Sequence, residues 1–317
     1  MSKQRSLQQY MLPAAVIMLF TAMLFFPSQV LRGASFGLLL WFNTVLPTLF
    51  PFILICNLLI STSAIDMLLH FISPLFCRFF RVSPYGAFAV LAGFLCGYPM
   101  GAKVTADLYR QDMIGKDETA YLLAFCNNTS PMFILSFLVM QNLKDDRLKL
   151  PVLGILTLSP VIISFLHPAG KVRAQASPPG TVPFRSKKMP FSDALDFSVS
   201  NALDSIAKVG AYIMMFAVFT ELFLMLPLGG STFCLLLAAS LEVTNGITML
   251  CGSSLSRTSV FILCLAETSF GGLCAAAQTA SMIRGTGIPV SSYLLKKLAT
   301  ALVASLLACL YLSLAGL

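Results

Sequence analysis

The stretch that decides the fold reads Gly93-Phe94-Leu95-Cys96-Gly97-Tyr98-Pro99-Met100-Gly101-Ala102-Lys103 and lies within an apolar part of the chain. Gly97, Pro99 and Gly101 would interrupt a helix there and free backbone N–H and C=O groups. At membrane depth, such irregular backbone is tolerated only where it is buried in protein or lines a polar cavity. The stretch therefore predicts a hairpin tip or an unwound helix. The alternative is a loop at the membrane interface, with Lys103 extending to the headgroups.

The composition of the whole chain indicates that its solvent is the bilayer. Of the 317 residues, 57% are hydrophobic and 11% are charged, whereas soluble globular proteins carry roughly 25% charged residues. The mean hydropathy is +0.84. This excludes an ordinary soluble domain and predicts an all-α polytopic protein of the cell membrane, with multiple passes and the lipid bilayer as its first partner.

Apolar runs predict ten membrane segments, some of them re-entrant. The first follows Lys3 and Arg5, and we interpret it as a retained signal anchor with a cytoplasmic N-terminus. Residues 168–192 contain five basic residues and no acidic residue, which indicates a cytoplasmic loop. The segments are 11–26, 33–60, 64–80, 85–108, 118–141, 149–167, 208–227, 232–250, 258–283 and 293–315.

A weak internal repeat organises these segments. At an offset of 174 residues, Gly97 aligns with Gly271 and Arg110 with Arg284, and an ordered set of small residues matches between them. Each repeat would contain four segments, and the single span between them would invert the second copy. The fold is therefore predicted as two inverted four-segment repeats with broken or re-entrant helices, which is typical of secondary transporters. The alternative is that two segments rich in small residues align by chance.

This register divides the chain into five parts: an N-terminal signal-anchor span (1–32), a first repeat (33–141), a connecting span (142–167), a basic cytoplasmic loop followed by an amphipathic helix (168–207) and a second repeat (208–317). In the fourth part, Ser192 is a plausible N-cap for a helix over 193–207. Leu195, Val199, Ala202 and Ile206 would form its apolar stripe, opposite Asp193, Asp196 and Asp204, which predicts a helix lying in the membrane interface. The alternative is a simple extension of the next span.

Three further stretches carry polar groups that a lipid-facing span would exclude: Cys126-Asn127-Asn128-Thr129-Ser130-Pro131, Leu241-Glu242-Val243-Thr244-Asn245-Gly246 and Ala266-Glu267-Thr268-Ser269-Phe270-Gly271-Gly272. A carboxylate inside an apolar segment costs at least about 2.5 kcal/mol, so it usually has a partner, a proton or a solute. Glu242 and Glu267 are therefore candidates for a coupling-ion or substrate-amine site. Polar packing between helices, at about 0.6 kcal/mol per contact, is the alternative.

The candidate site for a solute combines these stretches. The residues predicted to bind it are Gly97, Tyr98, Pro99, Lys103, Asn127, Asn128, Thr129, Ser130, Glu242, Asn245, Glu267, Thr268 and Ser269.

The same motifs resemble a known family. The strings Gly97-Tyr98-Pro99-x-Gly101-Ala102-Lys103 and Cys126-Asn127-Asn128-Thr129-Ser130-Pro131, together with the two stretches around Glu242 and Ser269, are similar to the YlbJ-type sporulation integral membrane proteins. That family belongs to the "nucleoside recognition" or Gate-domain group. The resemblance covers residues 33–315 and implies two Gate-like repeats and a role in endospore formation, notably cortex assembly. It implies no particular solute.

Two functional hypotheses follow from these observations. The first is a Gate-domain transporter or permease for an unidentified small polar solute or ion. The second is a non-transporting membrane scaffold that recruits spore-envelope machinery through residues 168–207. In either case the partners would be a second copy of the chain or other sporulation membrane proteins.

The remaining expectations are absences. We expect no enzymatic activity, because HExxH and GxSxG are missing, although a carboxylate dyad of Glu242 and Glu267 stays open. We also expect no cofactor, no metal site and no nucleic-acid partner. The net charge of +8 is attributed to cytoplasmic loops and anionic lipid contact.

Overall fold

The computed structural model describes residues 2–62, 64–167, 190–225 and 231–315. Within these ranges the secondary structure is helical, with no strand. The prediction of an all-α polytopic membrane protein is confirmed, because several of the helices are long and apolar enough to span a bilayer.

The helices of the first half run as follows: α1 (Ser2–Phe25), α2 (Pro27–Leu40), a π-helical segment (Trp41–Val45), α3 (Leu46–Ser61), α4 (Ala64–Phe80), α5 (Pro84–Cys96), α6 (Met100–Arg110) and α7 (Lys116–Leu122). A second π-helical segment (Phe133–Leu143), a 3₁₀ turn (Asp146–Leu148) and α8 (Lys149–Leu166) complete it.

The second half contains α9 (Phe191–Leu224), α10 (Thr232–Ala239), α11 (Val243–Cys251), α12 (Arg257–Phe270), α13 (Gly272–Met282) and α14 (Val290–Ala315). Serine side chains cap several of the helices, as their sequences favour. Ser83 accepts from the backbone N–H of Gly86 at the start of α5 over 3.1 Å, and Ser256 accepts from that of Ser259 at the start of α12 over 3.1 Å.

Five stretches among the described residues are long and apolar enough to cross a membrane: Pro27–Ser61, Asp146–Leu166, Phe191–Leu224, Arg257–Met282 and Val290–Ala315. The pair α4 and α5 also qualifies but is bent by 88°, as in a broken span or a re-entrant loop. By length and composition, five or six stretches of the described residues therefore qualify as spans, against ten predicted segments of which some were expected to be re-entrant. The predicted segments 118–141 and 232–250 fail as spans because non-helical backbone interrupts them, at Asn127–Ser130 and at Leu241–Glu242.

The helix predicted over 193–207 is not a separate interfacial element. It is the N-terminal part of α9, which continues without a break for 34 residues. Its buried face consists of small residues such as Ala194, Ser198 and Ala202, whereas Leu195 is exposed. Of the predicted apolar stripe, Ala202 and Ile206 are buried and Val199 is partly buried, so the stripe marks the packed face in part. Of the predicted basic loop 168–192, residues 168–189 lie outside the described residues.

Small residues allow α2 and α9 to pack closely. A Cβ atom added at Gly33 would lie 2.8 Å from the Cα of Val218, and one added at Gly37 would lie 2.7 Å from the Cα of Met214. Lipid is as apolar as the helix side chains, so the hydrophobic effect does not drive membrane helices together. They associate instead through close van der Waals packing of this kind. The contact holds the N-terminal helices against the second half of the chain.

Helix α14 has one exposed apolar face and one face that is buried in the protein. Its exposed leucines recur every three or four residues, and the opposite face is buried. The exposed set is Leu295, Leu298, Leu302, Leu306 and Leu310, and the buried set is Tyr293, Lys297, Thr300, Ala304, Ala308 and Leu312. The protein-facing side of this span thus carries a lysine.

Candidate functional site

The four polar stretches predicted from the sequence meet in one region. The Tyr98 hydroxyl donates a hydrogen bond to the backbone carbonyl of Ser269 over 2.9 Å, and Thr129 donates to the carbonyl of Thr268 over 2.8 Å. The backbone N–H of Cys274, two residues after the fourth stretch, donates to the carbonyl of Leu241 in the third stretch over 2.9 Å. The first and second stretches therefore contact the fourth directly, and the third contacts α13, the helix that begins at the end of the fourth.

Two helix breaks bring these polar groups together. Gly97 ends α5 with φ +89°, and Gly271 ends α12 with φ +86°. Such φ values are readily adopted by glycine because it has no Cβ. The chain then turns directly into α6 and α13, so each break places the end of one helix beside the start of the next.

Glycine also lets the second stretch pass between α5 and α6. A Cβ atom added at either Gly93 or Gly101 would overlap the backbone carbonyl of Cys126. The unwound segment is therefore buried in protein from Cys126 to Asn128 and lines the cavity at Thr129 and Ser130, which are the conditions for irregular backbone at membrane depth. This fits the first of the two readings of the stretch 93–103, a break buried in protein.

A cavity of about 110 Å³ opens where the stretches meet. All four contribute to its wall, as do the two π-helical segments. Its polar lining consists of Thr44, Thr48, Tyr98, Thr129, Ser130, Ser136, Glu242, Thr244 and Gln278, and Gly97 and Gly271 border it through their backbones. Among these described lining residues, Glu242 carries the one carboxylate. Such a cavity can bind a small solute through hydroxyl, amide and carboxylate groups.

Glu242 is held at the N-terminus of α11. Its carboxylate accepts a hydrogen bond from the backbone N–H of Asn245 over 2.8 Å, and the residue is 3% exposed. The partial positive charge of a helix N-terminus stabilises an anion in this position. Asn245 thus contributes its backbone to the site. Glu242 acts both as a helix cap and as the acidic group of the cavity wall.

Glu267 lies beside the same helix end without lining the cavity. A Cβ atom added at Gly272 would lie 3.3 Å from the Oε1 of Glu267 and 3.2 Å from the backbone nitrogen of Val243. Among the described residues, this buried Oε1 has no hydrogen-bond partner. The two predicted carboxylates are therefore neighbours. No group of three or more His, Cys, Asp or Glu residues in the described ranges could hold a metal ion.

Asn127 is buried next to the cavity and joins the helices that form its wall. Its Oδ1 accepts from the backbone N–H of Ala102 over 3.2 Å, and its Nδ2 donates to Thr279 over 2.9 Å and to the Tyr293 hydroxyl over 3.0 Å. The residue is 1% exposed. One amide thereby joins the start of α6 to α13 and α14, so Asn127 positions the wall of the cavity and does not itself line it.

Lys103 lies away from the cavity, in an ion-pair cluster on α6. Its ammonium contacts Asp107 over 2.6 Å and Asn57 over 3.4 Å. Asp107 also pairs with Arg110 over 2.8 Å, and Arg110 donates to the carbonyl of Arg284 over 2.8 Å. The cluster therefore links α6 to the end of α13. Pro99 precedes the first residue of α6 and lines no part of the cavity.

The sequence analysis missed Lys297 on α14. This lysine is 3% exposed. Its ammonium donates to the backbone carbonyl of Asn127 over 3.1 Å and lies 4.9 Å from the centre of the Tyr98 ring. The available signal was a lysine within a predicted membrane segment, which often marks a functional position, but Lys297 is only the fifth residue of the predicted segment 293–315.

A second, smaller void of about 10 Å³ lies next to the cavity. Its lining accounts for the remaining predicted residues of the second and fourth stretches. It consists of Tyr98, Asn128, Thr129, Ile134, Leu156, Thr268 and Ser269. Tyr98 and Thr129 line both spaces, so together they form the wall between them.

Comparison with known proteins gives one informative match. The chain is 24% identical over 310 aligned residues, covering 86% of the chain and 75% of its relative, to the sporulation integral membrane protein YlbJ of Bacillus subtilis (strain 168). The predicted resemblance to the YlbJ-type family and the location in the cell membrane are thereby confirmed. No protein-family model matches the chain, and no solved structure matches it significantly.

Proposed function

We propose that this multi-pass membrane protein, similar over most of its length to a sporulation membrane protein, acts in endospore formation as a transporter or permease. Its substrate would be a small polar solute that binds in the cavity bordered by Glu242 and Tyr98. The Gate-domain assignment and the inverted repeats are parts of this proposal.

One observation carries the proposal: the four polar stretches border a single cavity. If they served only to join helices, each would be buried separately, and no common space would be needed. Here the hydroxyl of Thr129, the carboxylate of Glu242 and the amide of Gln278 line the same space. Transporter sites are built in this way, from discontinuous helices that meet near the membrane midplane.

The helix breaks support the proposed repeat. Gly97 and Gly271, which the sequence alignment pairs, both stand at helix ends with positive φ. The helices that follow, α6 and α13, each contain 11 residues. Arg110 contacts Arg284, its aligned partner, through the carbonyl of the latter. Equivalent positions that touch each other are expected near the axis of a two-fold repeat.

The size of the cavity limits the solute. A dry cavity of about 150 Å³ holds a benzene molecule, and this one measures about 110 Å³. A solute somewhat smaller than benzene fits the observed state. A nucleoside would require the cavity to widen.

The experiment that tests the proposal is solute uptake into proteoliposomes. The purified chain would be reconstituted and assayed with labelled amino acids, dipicolinate, nucleosides and monovalent cations. We expect counterflow of at least one probe and at least a tenfold loss in Glu242→Gln, as removal of a charged hydrogen-bond partner worth about 1.5 kcal/mol would give. Glu221→Gln is the matched control, because Glu221 pairs with Arg32 outside the cavity.

The scaffold hypothesis predicts the opposite pattern. Under it no probe moves, Glu242→Gln supports normal sporulation, and deletion of residues 168–189 abolishes function. That combination would rule out the transport proposal.

A further inference from the structure

Tyr98 lies between the cavity and the smaller void and lines both. The cavity of about 110 Å³ and the void of about 10 Å³ share Tyr98 and Thr129 as wall residues. A space of about 10 Å³ holds roughly one water molecule, so the smaller void cannot accept a solute as it stands. A solute that leaves the cavity on this side must displace one of the two shared side chains.

Three contacts fix the Tyr98 side chain in the wall. Its hydroxyl donates to the carbonyl of Ser269 over 2.9 Å, and the ammonium of Lys297 lies 4.9 Å from the ring centre, within cation–π range. The third contact is with Gly271, where an added Cβ would lie 2.7 Å from the Cζ of the ring. The ring therefore packs against the break at the end of α12, although Tyr98 itself belongs to the break at the end of α5.

Lys297 depends on this ring. It is 3% exposed, and in the described part of the chain no carboxylate forms an ion pair with it. Its other contacts are the carbonyl of Asn127 over 3.1 Å and the side-chain oxygen of Asn128 over 3.5 Å. A buried ammonium that lacks a carboxylate loses a substantial part of its stabilisation if an aromatic neighbour leaves. The lysine thus favours the position of the ring in the wall.

We propose that Tyr98 is the internal gate of the cavity and that Lys297 is the positioning residue that holds the gate closed. Displacement of the ring from Gly271 and Ser269 joins the two spaces and exposes Asn128 and Thr268 to the solute. Thr129 stays in the wall, fixed by its hydrogen bond to the carbonyl of Thr268. The inference rests on the proposed transport function, because a gate serves a protein that admits a solute.

The test measures access to the smaller void directly, without any solute. Leu156 lines that void, and Leu156→Cys places a thiol there, while native Cys96 and Cys274 line the cavity. Reconstituted protein would be treated with a membrane-impermeant, positively charged methanethiosulfonate, and mass spectrometry would give the labelling rate of each thiol. We expect the thiol introduced by Leu156→Cys to react at least tenfold more slowly than Cys96, and Tyr98→Ala to remove that difference.

The role of Lys297 has its own matched control. Lys297→Met should raise the labelling rate at position 156 with Tyr98 still present, Lys297→Arg should restore slow labelling, and Lys296→Met should leave it slow, because Lys296 is not among the contacts of the ring. If Lys297→Met fails to fold, Tyr98→Phe replaces it: this variant keeps the ring but loses the hydroxyl and its hydrogen bond to Ser269, and it should raise the rate by a smaller factor.

The outcomes separate the two proposals. If Tyr98→Ala leaves the thiol at position 156 unlabelled or slow, the gate is overturned, whether or not solute uptake is observed. If labelling behaves as expected while no probe enters proteoliposomes, the gate stands as a conformational element and the transport function fails.

Discussion

The ring of Tyr98 lies against Gly271, so the break that ends α5 is packed directly onto the break that ends α12. The hydroxyl of the same tyrosine is bonded to Ser269, at the end of α12. A change at either break therefore reaches the other without any movement of the helices between them. Both breaks border the cavity, so this contact forms part of its wall.

The contact predicts a large effect of Gly271→Ala. Gly271 has φ +86°, where an L-residue costs about 1–2 kcal/mol, and the new Cβ would also meet the Tyr98 ring. We expect a loss of more than about 2 kcal/mol in the free energy of unfolding, since overpacking adds its own cost. Unfolding in mixed detergent micelles would measure it.

Gly285→Ala is the control for backbone strain alone. Gly285 has φ +87°, and an added Cβ there would meet nothing within 4 Å. Gly285→Ala should lower the free energy of unfolding by about 1–2 kcal/mol, from backbone conformation alone. Equal losses in the two variants would mean that the Tyr98 ring moves aside freely, contrary to the packing described above.

A second prediction concerns the passage of the unwound segment. Gly93→Ala places a methyl group onto the carbonyl oxygen of Cys126, and backbone cannot yield as a flexible side chain does. We expect the variant to fail to give a monodisperse peak in size-exclusion chromatography. Gly154→Ala, on α8, meets nothing within 4 Å and should elute as the parent does. A well-folded Gly93→Ala protein would show that the segment does not pass where the structure has it.

The ion-pair cluster on α6 predicts that the loss of its carboxylate lowers stability more than the loss of its lysine. Asp107→Asn leaves the ammonium of Lys103, whose side chain is 5% exposed, without a carboxylate, and an uncompensated buried charge costs about 3–5 kcal/mol. Lys103→Met leaves Asp107 paired with Arg110 and should cost clearly less. Detergent unfolding of both variants gives the comparison.

Asp145→Asn calibrates that measurement. Asp145 pairs with Arg147 on the surface, with the side chain of Arg147 94% exposed, and such pairs contribute about 0–1 kcal/mol. If Lys103→Met proved the more damaging of the two cluster variants, the assignment of Asp107 as the shared partner of two cations would be wrong.

Asn127 should matter for both stability and transport. Asn127→Ala removes hydrogen bonds to Ala102, Thr279 and Tyr293, which leaves buried polar partners unsatisfied at about 1–3 kcal/mol. We expect a lower unfolding temperature and reduced uptake in proteoliposomes. Asn142→Ala, which loses only a bond to the carbonyl of Phe137, should retain both. Normal stability of Asn127→Ala would indicate that water replaces the amide.

Much of the site could be predicted because polar residues are rare in this chain. Glu242 and Asn127 are conspicuous in apolar sequence, and their cost in a membrane requires a role. Their meeting in one cavity could not be predicted, since it depends on helices that are distant in sequence. Thr44 and Thr48 line the cavity yet carry no such signal, because a threonine in an apolar helix can bond its own backbone, as Thr48 does to the carbonyl of Thr44 over 2.7 Å.

The number of spans was harder to predict, because hydropathy measures composition and not continuity. Residues 118–141 are apolar enough to cross a bilayer, but Asn128 and Pro131 divide them into a short helix and a π-helical segment. At 193–207 the opposite error occurs: three aspartates suggested a helix on the membrane surface, but the residues belong to a long continuous helix. There the small residues Ala194, Ser198 and Ala202 face protein, and the helix continues into the membrane.

The length of α9 has a mechanical consequence. Its 34 residues span about 51 Å at about 1.5 Å per residue, whereas the hydrocarbon core of a bilayer is about 30 Å thick. One end of the rod must stand in water unless the helix is strongly tilted. Val209 and Ile213, further along the same rod, line the cavity. One continuous helix therefore connects Asp193, near its N-terminal end, with the cavity wall, and a rigid tilt of α9 would move both together.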